Sequence, residues 1–197
     1  IFKANNTSTN RRNDFAYEDH VDICKKFDLV DFEGPARTSG AHFYALKGIA
    51  ALLEMTLVSW AFSRAISRGF VPISAPDCIR ERFVVGCGFQ PRRLRGENDQ
   101  LPVYQVLEPS QKNDTNDPLL LAGTSEIFLA SQHHNQIISS SKLPLKYVAV
   151  SHCFRSEVGH HTAASRGLYR VHQFTKVELF TICKQEESTE AFAEITD

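Results

Sequence analysis

Two short runs of this sequence hold most of its chemistry-bearing side chains. Cys153, Arg155 and Glu157 alternate along one; Arg170, His172, Phe174, Lys176 and Glu178 alternate along the other. Both runs are rich in Val, Phe, Tyr and Thr, which suits strands over about Lys146 to Glu157 and Tyr169 to Thr181. Residues two apart on a strand point to the same side, so each set would share a face. Between them lies a polar loop with Gly159 and Gly167, carrying His160, His161, Thr162, Ser165 and Arg166. An antiparallel hairpin would gather two arginines, two carboxylates and a phenyl ring on one surface. Arginine grips phosphate with a planar fork of donors. A carboxylate accepts a hydrogen bond from an amino group, and a phenyl ring stacks on a base. The set describes a nucleotide held on an open sheet. No GxGxxG or GxxxxGK[ST] pattern occurs, so a dinucleotide fingerprint and a P-loop are excluded. A charged hairpin with one face in solvent would show the same alternation.

The wording is more particular than the alternation. Phe154-Arg155-Ser156-Glu157, a loop, then Arg170, Phe174 and Glu178 resembles the second signature motif of class II aminoacyl-tRNA synthetases. The fuller spelling, CFRSE followed by RGLYRVHQFTKVELF, is similar to seryl-tRNA synthetases. GLYRVHQFTKVE and the upstream Gly86-Cys87-Gly88-Phe89 resemble animal mitochondrial members. The likeness covers most of Asp19 to Glu187.

The resemblance implies an α/β (α+β) fold: a class II synthetase-type antiparallel sheet flanked by helices, truncated before the third motif. It also implies site roles. Arg155 would hold the α-phosphate of ATP and Glu157 would accept from the adenine amino group, the two standing as the catalytic pair. Phe174 would stack on adenine, and Arg170 would make a second phosphate or carboxylate contact. Val171, His172 and Gln173 fall within the same ATP-binding segment. Thr124, Ser125 and Glu126 match the Thr-x-Glu that the family uses to hold the amino group of serine. The middle position, often Ala in the family, is Ser125 here. Arg155 and Glu178 would complete the serine site. The loop from Val158 to Leu168 would face the tRNA acceptor end. The implied cofactors are ATP and Mg²⁺, with no metal ligand expected within this chain. The implied partners are L-serine, tRNA(Ser) and a second copy, with no membrane. The expected location is the mitochondrial matrix, with the cytoplasm as runner-up.

Several elements must position these residues. Ile1 to Asn13 is polar, and residues 1–17 read as a flexible lead-in, with 18–197 as the N-terminal part of the catalytic domain. Glu18 to Phe27 has Val21, Ile23 or Cys24, and Phe27 at helical spacing. Thr38-Ser39-Gly40 reads as a turn, and His42 to Gly48 as a short strand. Ile49 to Arg68 reads as the longest helix, with Gly69 as its stop and Pro72 soon after. Ile49, Leu53, Leu57 and Trp60 make one stripe on it; Leu52, Met55, Phe62 and Ile66 make another. Two apolar stripes mean cover on more than one side. Either this helix is the core of its own domain, or it is shared with a partner subunit. The resemblance favours the second, with Trp60 and Pro76 at the dimer interface, as in the first class II motif.

Phe70 to Ser74 reads as an edge strand because of Pro72. Pro76-Asp77 is expected to start a helix, Gly86 to Phe89 a tight turn, and Val103 to Leu107 a strand. Arg92, Arg93 and Arg95 form the one basic cluster, and Pro109 to Pro118 reads as a surface loop. Ile127 to Ile138 reads as a helix capped by Thr124 or Ser125. After Cys183 the chain becomes acidic and helix-like.

Composition sets the outer bounds. At 197 residues, one substantial core is possible. A net charge of −1 gives no overall field to attract nucleic acid, so RNA contact would need a local patch or other parts of the protein. No unbroken apolar run approaches the ~18 residues of a membrane span. The five cysteines are scattered, without a CxxC pair, which suggests free thiols in a reducing compartment. The pairs His133-His134 and His160-His161 lack zinc-ligand spacing. The chain begins at Ile1 and reads as an excerpt. With the third motif and the N-terminal tRNA-gripping arm expected elsewhere, this stretch alone is expected to be inactive. The rival readings are a non-catalytic, dimerising synthetase-like protein and a class II-fold ligase that joins an amino acid to something other than tRNA.

Overall fold

The computed structural model describes residues 17–89, 102–107, 117–157 and 167–196. Arg92, Arg93 and Arg95, the lead-in before Tyr17 and most of the 109–118 loop lie outside them. So does the stretch 158–166, with His160 and His161.

The organising element is a long antiparallel hairpin. Strand β6, Leu145–Phe154, pairs with β7, Gln173–Ile182, in an unbroken register from Leu145↔Ile182 to Phe154↔Gln173. Strand β3, Val71–Ser74, adds to the outer side of β6 in parallel, giving the order β3-β6-β7. Its edge position suits Pro72, which has no N–H to give a second neighbour. Two small antiparallel pairs stand beside this sheet: β1, Val30–Asp31, with β2, Ala45–Leu46, and β4, Cys78–Arg80, with β5, Leu119–Leu121.

The helices are α1 His20–Lys26, α2 Glu33–Thr38, α3 Ile49–Ser67, α4 Glu81–Gly86, α5 Glu126–Ser131 and α6 Ser188–Thr196. Asp19 caps α1 by accepting from the Val21 N–H at 2.8 Å. Helix α3 ends as its sequence implies: Gly69 takes φ +84°, a conformation in which a Cβ is costly.

Two clusters fill the interior. Ile79, Val84, Val103, Leu120, Ala122 and Ile127 form one, under α4, β5 and α5. Ala65, Phe70 and Val148 form the other, joined by Phe62, Val177, Leu179 and Ile195. The register places Val148, Val177 and Leu179 on one face of the hairpin, so α3 and α6 back that face.

Helix α3 is backed on one side only. Ala65 is its one buried residue, whereas Ile49, Leu52, Leu53, Met55, Leu57, Trp60 and Ile66 are all exposed. It is therefore not the central core helix of this chain. Its length and mean hydropathy also meet what a membrane-crossing helix needs. A search for one unbroken apolar run passes over it because Glu54, Thr56, Ser59 and Arg64 interrupt the sequence.

Other expectations are corrected. Residues 33–38 coil into α2, where the sequence suggested only a turn at 38–40; Asp31 Oδ1 accepts from the N–H groups of Glu33 and Gly34 and so starts the helix. A strand, β4, follows Pro76-Asp77, and the helix begins only at Glu81. Val103 to Leu107 contributes a single bridge, Gln105↔Leu120. Helix α5 stops at Ser131, well before Ile138: the chain turns through His133-Asn135, with Asn135 at φ +58°. The acidic segment after Cys183 is helical, with a 3₁₀ turn at Gln185–Glu187 leading into α6.

Candidate active site

The site lies on the hairpin face away from α3. Register sets its members. Ala149, Ser151 and Cys153 stand opposite Glu178, Lys176 and Phe174, so the last three side chains share one face. The opposing positions are small and buried; Ala149 and Cys153 are fully covered. Longer side chains from β7 can therefore lie across them. Burial pushes the Cys153 thiol above its usual range, so it stays protonated and unreactive at neutral pH.

A second segment crosses this face. Ala122 N–H donates to Asp77 O at 2.7 Å, and Phe154 N–H donates to Ala122 O at 2.9 Å, tying the end of β5 to the end of β6. The crossing is close at Gly123, where a Cβ would come within 3.1 Å of the Phe89 ring. The next residue, Thr124, is 2 % exposed. Its hydroxyl donates to Glu178 Oε2 at 2.6 Å, accepts from Lys176 Nζ at 2.9 Å and accepts from the Glu126 N–H at 3.2 Å. Lys176 and Glu178 form a direct ion pair. The Thr124 hydroxyl, not that of Ser125, thus caps α5. Ser125 Oγ is buried without a hydrogen-bond partner among the described residues. The Glu126 side chain is exposed.

At the other end of the face, the Arg155 guanidinium lies over the Phe174 ring, 5.1 Å from its centroid. Phe174 and Glu178 are four positions apart on β7, so the two ends are about 13 Å apart. Arg170 Nη2 pairs with Glu157 Oε2 at 2.6 Å. Glu157 sits at φ +52°, just past the end of β6. The Nε atoms of both arginines are buried and unpartnered among the described residues. Buried donors without acceptors are rare, and such donors suit an anionic ligand.

The structure brings together Thr124, Arg155, Phe174 and Glu178, with Glu157 and Arg170 at the open end. It revises the expected faces. Both strands are shorter at this end than their composition suggests, so Arg155, Glu157, Arg170 and His172 lie beyond the paired region. His172 does not join the face of Phe174. Its Nδ1 contacts Arg155 O at 2.9 Å, and its ring lies against Phe43, His42 and Tyr104. It is a positioning residue that holds the Arg155 backbone. Val171 is buried. By register Gln173 lies on the opposite face; it lines a cavity of about 230 Å³ together with Phe43, Tyr44, His152, Thr175 and the site residue Phe174. The sequence places Lys176 on this face, and the resemblance gives it no role; the structure sets it on Thr124 and Glu178. Among the described residues, no group of three or more His, Cys, Asp or Glu could hold a metal ion. His133 Nε2 is engaged by Tyr147 OH at 3.0 Å. Trp60 and Pro76 are both exposed.

Comparison with known proteins bears on the family and the fold. Residues 104–197 match the family described as tRNA synthetase class II core domain (G, H, P, S and T). The chain is 40% identical over 181 residues to the serine–tRNA ligase of Rubrobacter xylanophilus, covering 92% of this chain and 40% of that protein. The crystal structure of seryl-tRNA synthetase from Pyrococcus horikoshii, complexed with ATP, superposes with a TM-score of 0.75 at 33% identity, over 92% of this chain and 38% of that one. The cytoplasmic serine–tRNA ligase of Naegleria fowleri, in complex with AMP, gives 0.77 at 27% identity, over 93% and 40%. The chain thus spans about 40% of the length of the relatives it matches. Its fold is the mixed α/β fold of the class II core, with a mainly antiparallel sheet flanked by helices. Residues 104–197 thus carry the core domain of class II aminoacyl-tRNA synthetases, and in sequence and fold the chain is similar to the seryl-tRNA synthetases.

Proposed function

We propose that the full-length protein is a serine–tRNA ligase, activating L-serine with ATP and transferring the seryl group to tRNA(Ser). The observation that carries this reading is the two-ended face of the hairpin. One end has a hydroxyl and a carboxylate, Thr124 and Glu178, held together. The other has Arg155 over Phe174, its buried Nε without a partner among the described residues. An amino acid and a nucleotide can lie end to end along it.

In the first step the serine carboxylate attacks the α-phosphorus of ATP, and pyrophosphate leaves. Arg155 holds the α-phosphate and steadies the charge that gathers there. Phe174 stacks on adenine, and Glu157 accepts from the adenine amino group. For that, Glu157 shares or releases its contact with Arg170, which is then free for a phosphate. Thr124, Glu126 and Glu178 hold the serine ammonium, with Ser125 lining the pocket. In the second step a hydroxyl of the terminal tRNA adenosine attacks the seryl carbonyl, and AMP leaves. No side chain acts as nucleophile; the rate comes from positioning and charge. Mg²⁺ travels with ATP as part of that substrate, and the described residues supply no cluster for a protein-held metal.

The exposed face of α3 supports a homodimer, with Trp60 and Pro76 at or near its interface. The resemblance of GLYRVHQFTKVE and Gly86-Cys87-Gly88-Phe89 to animal mitochondrial members supports a place in mitochondrial translation. Imaging a tagged full-length protein against a matrix marker tests the location; a cytoplasmic signal would contradict it. Charging of a tRNA(Ser) transcript with labelled serine tests the function, with a tRNA(Thr) transcript as control. Seryl-tRNA(Ser) alone is the expected product. A folded full-length protein that charges neither transcript contradicts the reading.

A further inference from the structure

The hydroxyl of Thr124 is fully used. It has one hydrogen to donate and two lone pairs to accept with. The hydrogen goes to Glu178 Oε2, one lone pair takes the Glu126 N–H, and the other takes Lys176 Nζ. Lys176 Nζ also pairs with Glu178. A primary ammonium therefore already stands on the hydroxyl and the carboxylate that an amino-acid ammonium would need. The Glu126 N–H is a backbone donor fixed at the start of α5 and cannot leave. Lys176 is different: its side chain is 31% exposed, on a flexible four-carbon stem. Of the three partners of Thr124, it is the one that can be displaced.

We propose that Lys176 is an internal occupant of the ammonium pocket. Its own ammonium fills the place of the substrate's until an amino acid arrives, and must swing out for binding. This deepens the serine-activation reading and rests on it. The arrangement keeps the largely covered Glu178 carboxylate paired while the site is empty, where an unpaired charge would be costly. It also sets a selectivity rule. A ligand must bring a cation of its own to replace the one it evicts, so deaminated analogues are rejected. The cost is affinity, because only the fraction of molecules with Lys176 out can bind.

The test is equilibrium binding to the full-length protein by calorimetry, wild type against Lys176→Met. The three ligands are L-serine, serinamide (ammonium without carboxylate) and 3-hydroxypropanoate (carboxylate without ammonium). Removing the occupant should tighten serine and serinamide by roughly fivefold, the scale of one partly exposed ion pair. The KM for ATP should not move, which separates displacement from a structural role. Lys176→Arg, which keeps the charge, should stay near wild type. Lys176→Gln gives the same comparison should the methionine variant not fold. Unchanged affinity for serine and serinamide in the charge-removing variant overturns the proposal. So does weaker binding of serine and 3-hydroxypropanoate, which would make Lys176 a ligand for the substrate carboxylate. Wild-type protein that binds neither serine nor serinamide also overturns it. Serine-dependent pyrophosphate exchange, run in parallel, reports on the activation reading separately: a protein that binds serine more tightly as Lys176→Met yet never exchanges would keep this proposal and lose that one.

Discussion

At the residue scale, the site is a set of side chains that satisfy one another only in part. Glu178 holds Thr124 in place, and both face the proposed amino-acid pocket. Glu178→Gln in the full-length protein is expected to raise the serine KM about tenfold or more, the cost of weakening a hydrogen bond to a charged group. The ATP KM should be nearly unchanged, and steady-state kinetics over both substrates read the difference. Arg155→Ala should act on the other end, lowering kcat/KM by about 10²–10³ while serine still binds. Cys153 offers a check on burial: in native protein near pH 8 it should resist alkylation, whereas the less covered Cys78 and Cys183 should react sooner, as peptide mapping would show.

Legibility at this scale followed the strand period. Phe174 and Glu178 fell on one face because β7 runs unbroken through both. Arg155 and Glu157 were assigned to a strand that ends before them, and His172 to a face it does not occupy. Alternation in sequence cannot show where pairing stops. Here the stop comes from Glu157 at positive φ and from His172, whose N–H donates to His42 O, far away in the chain. The contact of Thr124 with Glu178 spans 54 positions and has no local signal at all.

At the element scale, α1 anchors the connection between the two hairpin strands where it returns toward β7. The Leu168 N–H donates to His20 Nε2 at 3.2 Å, and the His20 and Tyr169 rings lie 4.2 Å apart. Gly167 sits at φ +69°, and a Cβ there would come within 2.2 Å of His20 Nε2 and 2.6 Å of Val21 Cγ2. Gly167→Ala is therefore expected to destabilise the fold by about 1–3 kcal/mol, through both strain and clash, measured by denaturant unfolding. Only the return of the chain at Leu168 gives His20 this task. Long elements were legible because their period repeats: α3 and the two hairpin strands were found within a few residues of their ends. Short ones were not. α2 depends on the Asp31 carboxylate, and α5 ends where the chain turns at Asn135. Six-residue helices carry too little pattern for periodicity to fix them.

At the scale of the whole molecule, α3 dominates. Its sequence showed two apolar stripes, and the structure covers only one side of it. An exposed apolar face of this extent calls for a partner. The proposed partner is a second copy of the protein. Leu53→Glu with Trp60→Glu should turn a full-length dimer into a monomer in sedimentation experiments, because two charges cannot be buried unpaired at one interface. A full-length wild-type protein that sediments as a monomer would contradict the dimer directly. The site and this face share the hairpin, one on each side. Whatever covers α3 therefore also braces the strands that carry Phe174 and Glu178.

The central claim is that one face of the hairpin holds serine and ATP end to end for adenylate formation. The most direct test is ATP–pyrophosphate exchange by the full-length protein, with serine, threonine and alanine supplied separately. Exchange with serine alone is the predicted result. A folded dimer that exchanges with none of the three would contradict the account and favour a non-catalytic relative, and exchange driven by threonine or alanine instead would contradict the assignment of the Thr124–Glu178 pocket to serine.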